Sequence, residues 1–146
     1  MTYKILLATK EVRKELKTPF EIKFFNDNYM EVKNPWRPDR EYLVAVDDEN
    51  RVLGVMCFVR DSLIGRQVSS GKACIGFAYL SVASFRKGKG IGKALATELF
   101  KEADRLKRGV RVTEYEPEGE LYLKPVIKRL ASEHNYSVYE AFDRIN

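Results

Sequence analysis

A glycine-rich stretch between an apolar run and an amphipathic run constrains this chain more than any other feature. In Phe85-Arg-Lys-Gly-Lys-Gly-Ile-Gly-Lys-Ala-Leu95, glycine occupies every second position from 88 to 92. An apolar run with β-forming residues precedes it, Cys74 to Val82, and a helical run follows it, Ile91 to Lys107. Because glycine lets a backbone turn sharply and approach a ligand closely, this order of strand, loop and helix predicts a phosphate-binding loop.

Charge supports the same interpretation. Lysines occur at positions 87, 89 and 93, and the helix N-terminus adds partial positive charge, so a diphosphate would meet aligned N–H donors in a cationic field. A solvated loop that merely joins a strand to a helix is the alternative, and the order of the elements favours phosphate binding. The predicted ligand-binding residues of the loop are Lys87, Gly88, Lys89, Gly90, Ile91, Gly92 and Lys93.

Spacing excludes two common nucleotide-binding loops. A Walker loop requires Ser or Thr after Gly-Lys, and Gly92-Lys93-Ala94 lacks the hydroxyl that would hold magnesium. A dinucleotide fingerprint requires Gly-x-Gly-x-x-Gly and an acidic residue after the next strand, and the glycines at 88, 90 and 92 do not match it. The loop therefore predicts a different kind of diphosphate ligand.

The motif as a whole resembles the coenzyme A motif of the GNAT superfamily of N-acyltransferases. The resemblance rests on Leu80-Ser-Val82, Lys87-x-x-Gly90-x-Gly92 and the helix that follows. The family pattern begins with Arg or Gln, whereas this chain has Lys87, which keeps the charge but lacks the planar guanidinium fork. The resemblance implies acetyl-CoA as acyl donor, an amine of a small molecule, protein or peptide as acceptor, and no metal.

The remaining patterns predict an α+β fold in one domain, residues 1–146, with a mixed, mostly antiparallel sheet flanked by helices on both faces. This is also the fold that the resemblance implies. The predicted strands are Tyr3–Ala8, Glu41–Asp47, Arg51–Arg60, Cys74–Val82, Val110–Tyr115 and Tyr136–Phe142. The predicted helices are 9–17 with Thr9 as N-cap, 20–28, 91–107 with Gly109 at the C-terminal cap, and 122–134.

Composition narrows the class of protein. The 146 residues include 45% hydrophobic and 32% charged ones, as in an ordinary globular domain, and Cys57 and Cys74 lie in apolar runs that predict reduced core thiols. The first residues do not resemble a signal peptide and no run is long enough to span a bilayer, so a cytoplasmic protein is expected. A net charge of +5 suits an anionic partner, and coenzyme A alone could be that partner. The sequence leaves the oligomeric state open, a homodimer included.

In enzymes of this family, coenzyme A lies between the strand before the loop and the strand after the helix. Here these are Leu80-Ser81-Val82 and the Arg111–Tyr115 segment. The resemblance implies that the pantetheine amides pair with the first strand, whose N–H groups stabilise the tetrahedral oxyanion. An amine then attacks the thioester directly.

The proton-transfer residues are less well marked. Many members carry a glutamate on the strand before the loop, but Cys74–Val82 contains no carboxylate, so Glu114 becomes the candidate base. The tyrosine acid of many members would fall at Ala131, so Tyr122 is the candidate acid, with Tyr115 as the second choice. Each also has a structural alternative: a solvated acidic segment for the glutamate and a packing role for the tyrosines.

Two other classes of function remain open at the sequence level. A nucleic-acid-directed protein on the same fold would use the positive charge and aromatic pairs such as Phe24-Phe25, but the basic residues are spread among acidic ones. A coenzyme-binding homologue without turnover would explain the missing base and acid. The favoured hypothesis is an acetyl-CoA-dependent N-acetyltransferase.

Overall fold

The structure is a computed structural model that describes residues 3–18, 22, 36, 40–62, 74–82, 90–112, 123–134 and 138–140. Its strands are β1 (Lys4–Leu7), β2 (Glu41–Val46), β3 (Val52–Ser62), β4 (Cys74–Val82), β5 (Val110–Val112) and β6 (Val138–Glu140). Its helices are α1 (Lys10–Arg13), α2 (Ile91–Leu106) and α3 (Lys124–His134). The predicted helix 20–28 lies outside the described residues, apart from the buried Ile22.

The strands form one six-stranded sheet in the order β1-β2-β3-β4-β5-β6. β1 is antiparallel to β2, and β4–β5 and β5–β6 are parallel pairs. These pairs confirm the predicted α+β fold with a mixed central sheet. By its contacts the chain divides into two compact units, the first comprising Met1–Cys57 and Tyr79–Leu95, the second Phe58–Ala78 and Ala96–Asn146. The expectation of a single domain stays a prediction.

The core of the first unit is built on β2 and β3. Every residue from Tyr42 to Val46 and from Val52 to Cys57 is buried, as nearly continuous apolar runs predict for strands covered on both faces. Cys57 is buried and reduced, as expected from its position in an apolar run. β1 differs, because none of its four residues is buried and Leu7 is 40% exposed.

Helix α1 is shorter than predicted: it ends at Arg13, the Glu15 and Leu16 N–H groups bond to carbonyls three residues earlier, and Lys17 makes tertiary contacts. Thr9 is its N-cap, as predicted, and accepts a hydrogen bond from the Val12 N–H at 3.3 Å. Lys17 then bonds to the end of the β2–β3 hairpin, donating to the Asn50 carbonyl and accepting from the Val52 N–H, both at 2.8 Å. The backbone of Lys17 is thus used in a β-bridge and cannot continue the helix.

In the second unit, the C-terminal half of α2 and most of α3 bury apolar faces. Leu99, Phe100 and Ala103 of α2 and Ile127 and Leu130 of α3 are all buried, which confirms the helical periodicity. Pro125 lies in the first turn of α3, where its missing N–H costs no helical hydrogen bond, as predicted.

The C-terminus of α2 corrects one prediction. The sequence predicts Gly109 as the cap, but the helix ends at Leu106 and Lys107 adopts the left-handed conformation with φ 57°. The Arg108 N–H donates to the Ala103 carbonyl at 3.0 Å and the Lys107 N–H to the Asp104 carbonyl at 3.2 Å, which is the Schellman pattern. Gly109 instead lies beside β4, where its carbonyl accepts from the Ile75 N–H at 2.9 Å.

Candidate coenzyme site

The candidate site begins at the end of β4. Leu80, Ser81 and Val82 form the last three residues of this strand and are all half-buried, so the strand end is neither core nor fully solvated. Lys87, Gly88 and Lys89 of the predicted loop lie outside the described residues. The part of the loop that the structure describes begins at Gly90.

Gly90 is the N-terminal boundary of α2, and its backbone has a conformation that favours glycine. Its φ is +82°, and its carbonyl accepts the first helical hydrogen bond from the Ala94 N–H at 2.9 Å. Gly90 is exposed, and among the described residues nothing approaches within 4 Å of the position that a Cβ would occupy. A ligand can therefore approach the backbone here closely.

The first turn of α2 presents helical N–H groups at the same end. The N–H groups of residues 91 to 93 have no acceptor within the helix, because each would need a carbonyl that precedes it. Gly90, at the N-cap, has no side chain with which to accept them, unlike the Ser, Thr, Asp or Asn that usually stands there. The side chain of Lys93 is exposed at the same turn. This arrangement of donors and charge suits an anion such as a diphosphate.

Two small residues let the first turn lie close to the strands. Gly92 is half-buried, and a Cβ there would be 3.2 Å from Leu80 Cδ2. A Cβ on Gly54 of β3 would be 2.8 Å from Ile91 Cγ2. Gly54 was not among the residues predicted for the site, although a single glycine inside an apolar strand run often marks a close backbone approach.

The predicted catalytic residues cannot be placed on this geometry. Glu114, Tyr115 and Tyr122 all lie outside the described residues, so their roles stay predictions. Ala131, where the resemblance would put the usual acid, is buried in α3.

In the described ranges, no group of three His, Cys, Asp or Glu side chains could hold a metal ion, and no helix is long and apolar enough to cross a membrane.

In the part of the chain that the structure describes, two carboxyl groups have clear pKa shifts, and both belong to hydrogen-bond networks that stabilise the fold. Burial acts to raise the pKa of Asp47, but hydrogen bonds from the Arg51 backbone and side chain and from the Glu49 backbone outweigh it and lower the pKa. A hydrogen bond from Arg105 lowers the pKa of Glu102; burial opposes this shift, and Arg60 adds to it. Glu102 thus links α2 to β3 within the second unit.

Two solved acetyltransferase structures have the same fold as this chain. The chain is similar to glucosamine-6-phosphate N-acetyltransferase from Arabidopsis thaliana, with a TM-score of 0.62 at 12% identity over 86% of this chain and 90% of that one. It is also similar to an aminoglycoside acetyltransferase from an uncultured soil metagenomic sample, with a TM-score of 0.60 at 19% identity over 86% and 87% of the two chains. At these identities the likeness shows the fold alone.

Sequence comparison reaches the same family. No curated protein sequence matches the chain. The family model described as the acetyltransferase (GNAT) family matches residues 9–122, a range that contains both β4 and the complete glycine-rich loop. The resemblance predicted from the loop is confirmed. The chain therefore belongs to the GNAT acetyltransferase family, whose members use acetyl-CoA.

Proposed function

We propose that the protein is an N-acetyltransferase that transfers the acetyl group of acetyl-CoA to an amine by direct attack. The observation that carries the proposal is the geometry of Gly90 at the start of a 16-residue helix: it has a positive φ, and none of the described residues comes within 4 Å of its Cβ position. Such a backbone matches the need of a diphosphate for several N–H donors at close range.

The described residues would hold two different parts of the donor. The first-turn N–H groups and Lys93 would bind the diphosphate, together with Lys87, Gly88 and Lys89. The backbone of Leu80, Ser81 and Val82 would pair with the pantetheine amides, and a donor at this strand end would stabilise the oxyanion that forms during attack.

Besides stabilisation of the oxyanion, the reaction requires a base that deprotonates the amine and an acid that protonates the thiolate. The ammonium must lose a proton to expose the lone pair of its nitrogen, and the C–N bond then forms. The C–S bond breaks and the departing thiolate takes up a proton, while the attacking nitrogen loses its second proton and so replaces the one given to the thiolate. We assign the role of the base to Glu114 and that of the acid to Tyr122, with Tyr115 as the alternative acid. A positioned acid or base contributes about 10² to 10⁴ in rate, so activity does not depend on either residue absolutely.

The amine that best suits this site has a low pKa. A lysine side chain with a pKa of about 10.4 costs about 4 to 5 kcal/mol to deprotonate at pH 7, whereas an α-amine with a pKa of about 8 costs nearer 1 kcal/mol. Because β4 carries no carboxylate to act as base, an α-amine or a similarly acidic small-molecule amine is the proposed acceptor.

A thiol-release assay with acetyl-CoA tests the proposal directly. Acceptors are offered in pools of small amines, peptides with free N-termini and tRNA, and released coenzyme A is compared with acetylated product by mass spectrometry. Acetylation of an amine in any pool supports the proposal. Coenzyme A binding without product across all pools would indicate a coenzyme-binding protein without turnover, and salt-sensitive tRNA binding without thiol release would indicate a nucleic-acid-directed protein.

The proposed base and acid have different signatures. Glu114→Gln should lower the rate mainly below the pKa of the acceptor amine, and raising the pH should restore part of the activity. Tyr122→Phe should lower the rate without rescue at alkaline pH, because the thiolate still lacks its proton. Each loss should fall within about 10² to 10⁴ in kcat with little change in coenzyme affinity. Glu118→Gln is the matched control, because Glu118 lies in the acidic segment Glu116-Pro-Glu-Gly-Glu120 that follows Glu114 in the sequence. Wild-type rates for both variants at every pH would refute the assignment.

A further inference from the structure

Gly54 lies in β3, outside the coenzyme motif, yet it contacts the helix that the motif begins. A Cβ at this position would stand 2.8 Å from Ile91 Cγ2, 3.3 Å from Leu95 Cδ1 and 3.5 Å from the Ser81 carbonyl oxygen. Among the described glycines only Gly90 has a positive φ, so the backbone of residue 54 would accept any side chain. Space alone therefore requires glycine at this position.

Ile91 cannot easily make room for a side chain at position 54. It is 2% exposed, and Leu95, one turn further along the helix, is completely buried. A β-branched residue in a helix has one strongly preferred χ1 rotamer, so Cγ2 cannot rotate away without cost. A methyl group on residue 54 would therefore displace the first turn of α2 and not only a side-chain tip.

We propose that Gly54 is a positioning residue for coenzyme binding. It sets the distance between β3 and the first turn of α2, and through Ile91 it sets the position of the N–H groups that receive the diphosphate. Hydrogen bonds from N–H to oxygen weaken steeply with distance and angle, so a shift of a few tenths of an ångström reduces several of them at once. This inference rests on the proposed coenzyme site.

Calorimetry with two ligands separates positioning from general destabilisation. Gly54→Ala should weaken coenzyme A binding about tenfold while the affinity for pantetheine, which has no diphosphate, changes less than about twofold. Val55→Ala is the matched control, because Val55 is buried on the same strand and its side chain points to the opposite face. This control should lower the melting temperature and keep the wild-type ratio of the two affinities.

Second-site variants test whether Ile91 transmits the effect. Ile91→Leu removes the Cγ2 methyl, so the double variant with Gly54→Ala should regain most of the lost coenzyme affinity. Ile91→Val keeps that methyl, so the corresponding double variant should stay about tenfold weak. If Gly54→Ala alone does not fold, the Ile91→Leu single variant is compared with the Ile91→Leu, Gly54→Ala double variant. Equal affinities of these two proteins for coenzyme A support the role of the Ile91 contact, and a weaker affinity of the double variant overturns it.

The outcomes distinguish this inference from the proposed function. Wild-type protein that binds coenzyme A and pantetheine equally would refute the diphosphate site, and the positioning role of Gly54 with it. Wild-type protein that prefers coenzyme A, together with a folded Gly54→Ala variant that keeps the full preference, would overturn the positioning role alone.

Discussion

Among the described residues of the first unit, two turns contain a residue with positive φ, and they differ in whether a side chain accepts their backbone N–H groups. In the β2–β3 hairpin, Asn50 has φ 61° and the preceding Asp47 accepts hydrogen bonds from the N–H groups of Glu49 at 2.9 Å and Arg51 at 3.0 Å. At the start of α2, Gly90 has φ 82° and no side chain that could accept a hydrogen bond.

The two turns differ in the source of the hydrogen-bond acceptors for their backbone N–H groups. The hairpin is closed from within, because the carboxylate of Asp47 is 6% exposed, takes two backbone N–H groups and also pairs with Arg51 Nε at 2.8 Å. Such a turn contributes to stability and has little capacity for a ligand. The Gly90 turn lacks an internal carboxylate at the cap and is followed by the lysine at 93, which is the arrangement expected where an external anion supplies the acceptor atoms.

The largest expected effect is on the hairpin. Asp47→Ala should lower the free energy of unfolding by about 2 kcal/mol, because it removes a charged acceptor of several hydrogen bonds, and denaturant unfolding measures the loss. Asp48→Ala, an exposed carboxylate of the same turn, is the control and should change stability by less than about 0.5 kcal/mol. Neither variant should alter coenzyme affinity, and a loss of affinity in Asp47→Ala alone would break the comparison.

The same contribution should depend on pH. The pKa of Asp47 is lowered from its usual value of 3.8, so the stabilisation is complete above that value and is lost as the pH falls through the lower pKa of the folded state. The stability difference between wild type and Asp47→Ala should therefore be constant from neutral to mildly acidic pH and shrink below about pH 4. A difference that grows on acidification would contradict the assigned hydrogen bonds.

The second effect compares the two turns directly. Gly90→Val and Asn50→Val each place a β-branched residue at a positive φ, so both should lower the melting temperature. Only Gly90→Val should weaken coenzyme A binding, by about tenfold or more, because the valine also fills the space that the ligand needs. Equal affinities of the two variants for coenzyme A, measured by calorimetry, would show that the Gly90 turn only connects β4 to α2 and does not bind the ligand.

The smallest expected effect is electrostatic. The preference for coenzyme A over pantetheine should fall severalfold when the ionic strength rises from about 0.05 to 0.5 M, because exposed charges are screened. Lys93→Gln should make this salt dependence shallower. Lys101→Gln, an exposed lysine further along the same helix, should leave it unchanged. A preference that does not respond to salt would show that hydrogen bonds, not lysine charge, bind the diphosphate.

Much of the fold could be predicted because its patterns are local. The burial of β2 and β3 follows from their nearly continuous apolar runs, although Val59 at the end of the second run is half-buried. Helical periodicity predicts the apolar face that begins at Ile91, which is buried as far as Ala103 and half-buried at Leu106. Helix ends were predicted less well. Lys107 forms the Schellman cap where Gly109 was expected, because a left-handed residue costs little once two backbone hydrogen bonds reward it.

The candidate site also has one part that local sequence predicts and one part that it does not. The sequence by itself predicted a diphosphate loop, since alternating glycines and lysines at the start of a helix provide N–H donors, positive charge and room for close approach. Only the tertiary structure revealed Gly54, because its importance lies in a 2.8 Å approach to Ile91, 37 positions later in the chain, which no local pattern encodes. Sequence periodicity reports which face of a segment is buried; the distance between two packed backbones depends on which residues meet, and folding alone decides that.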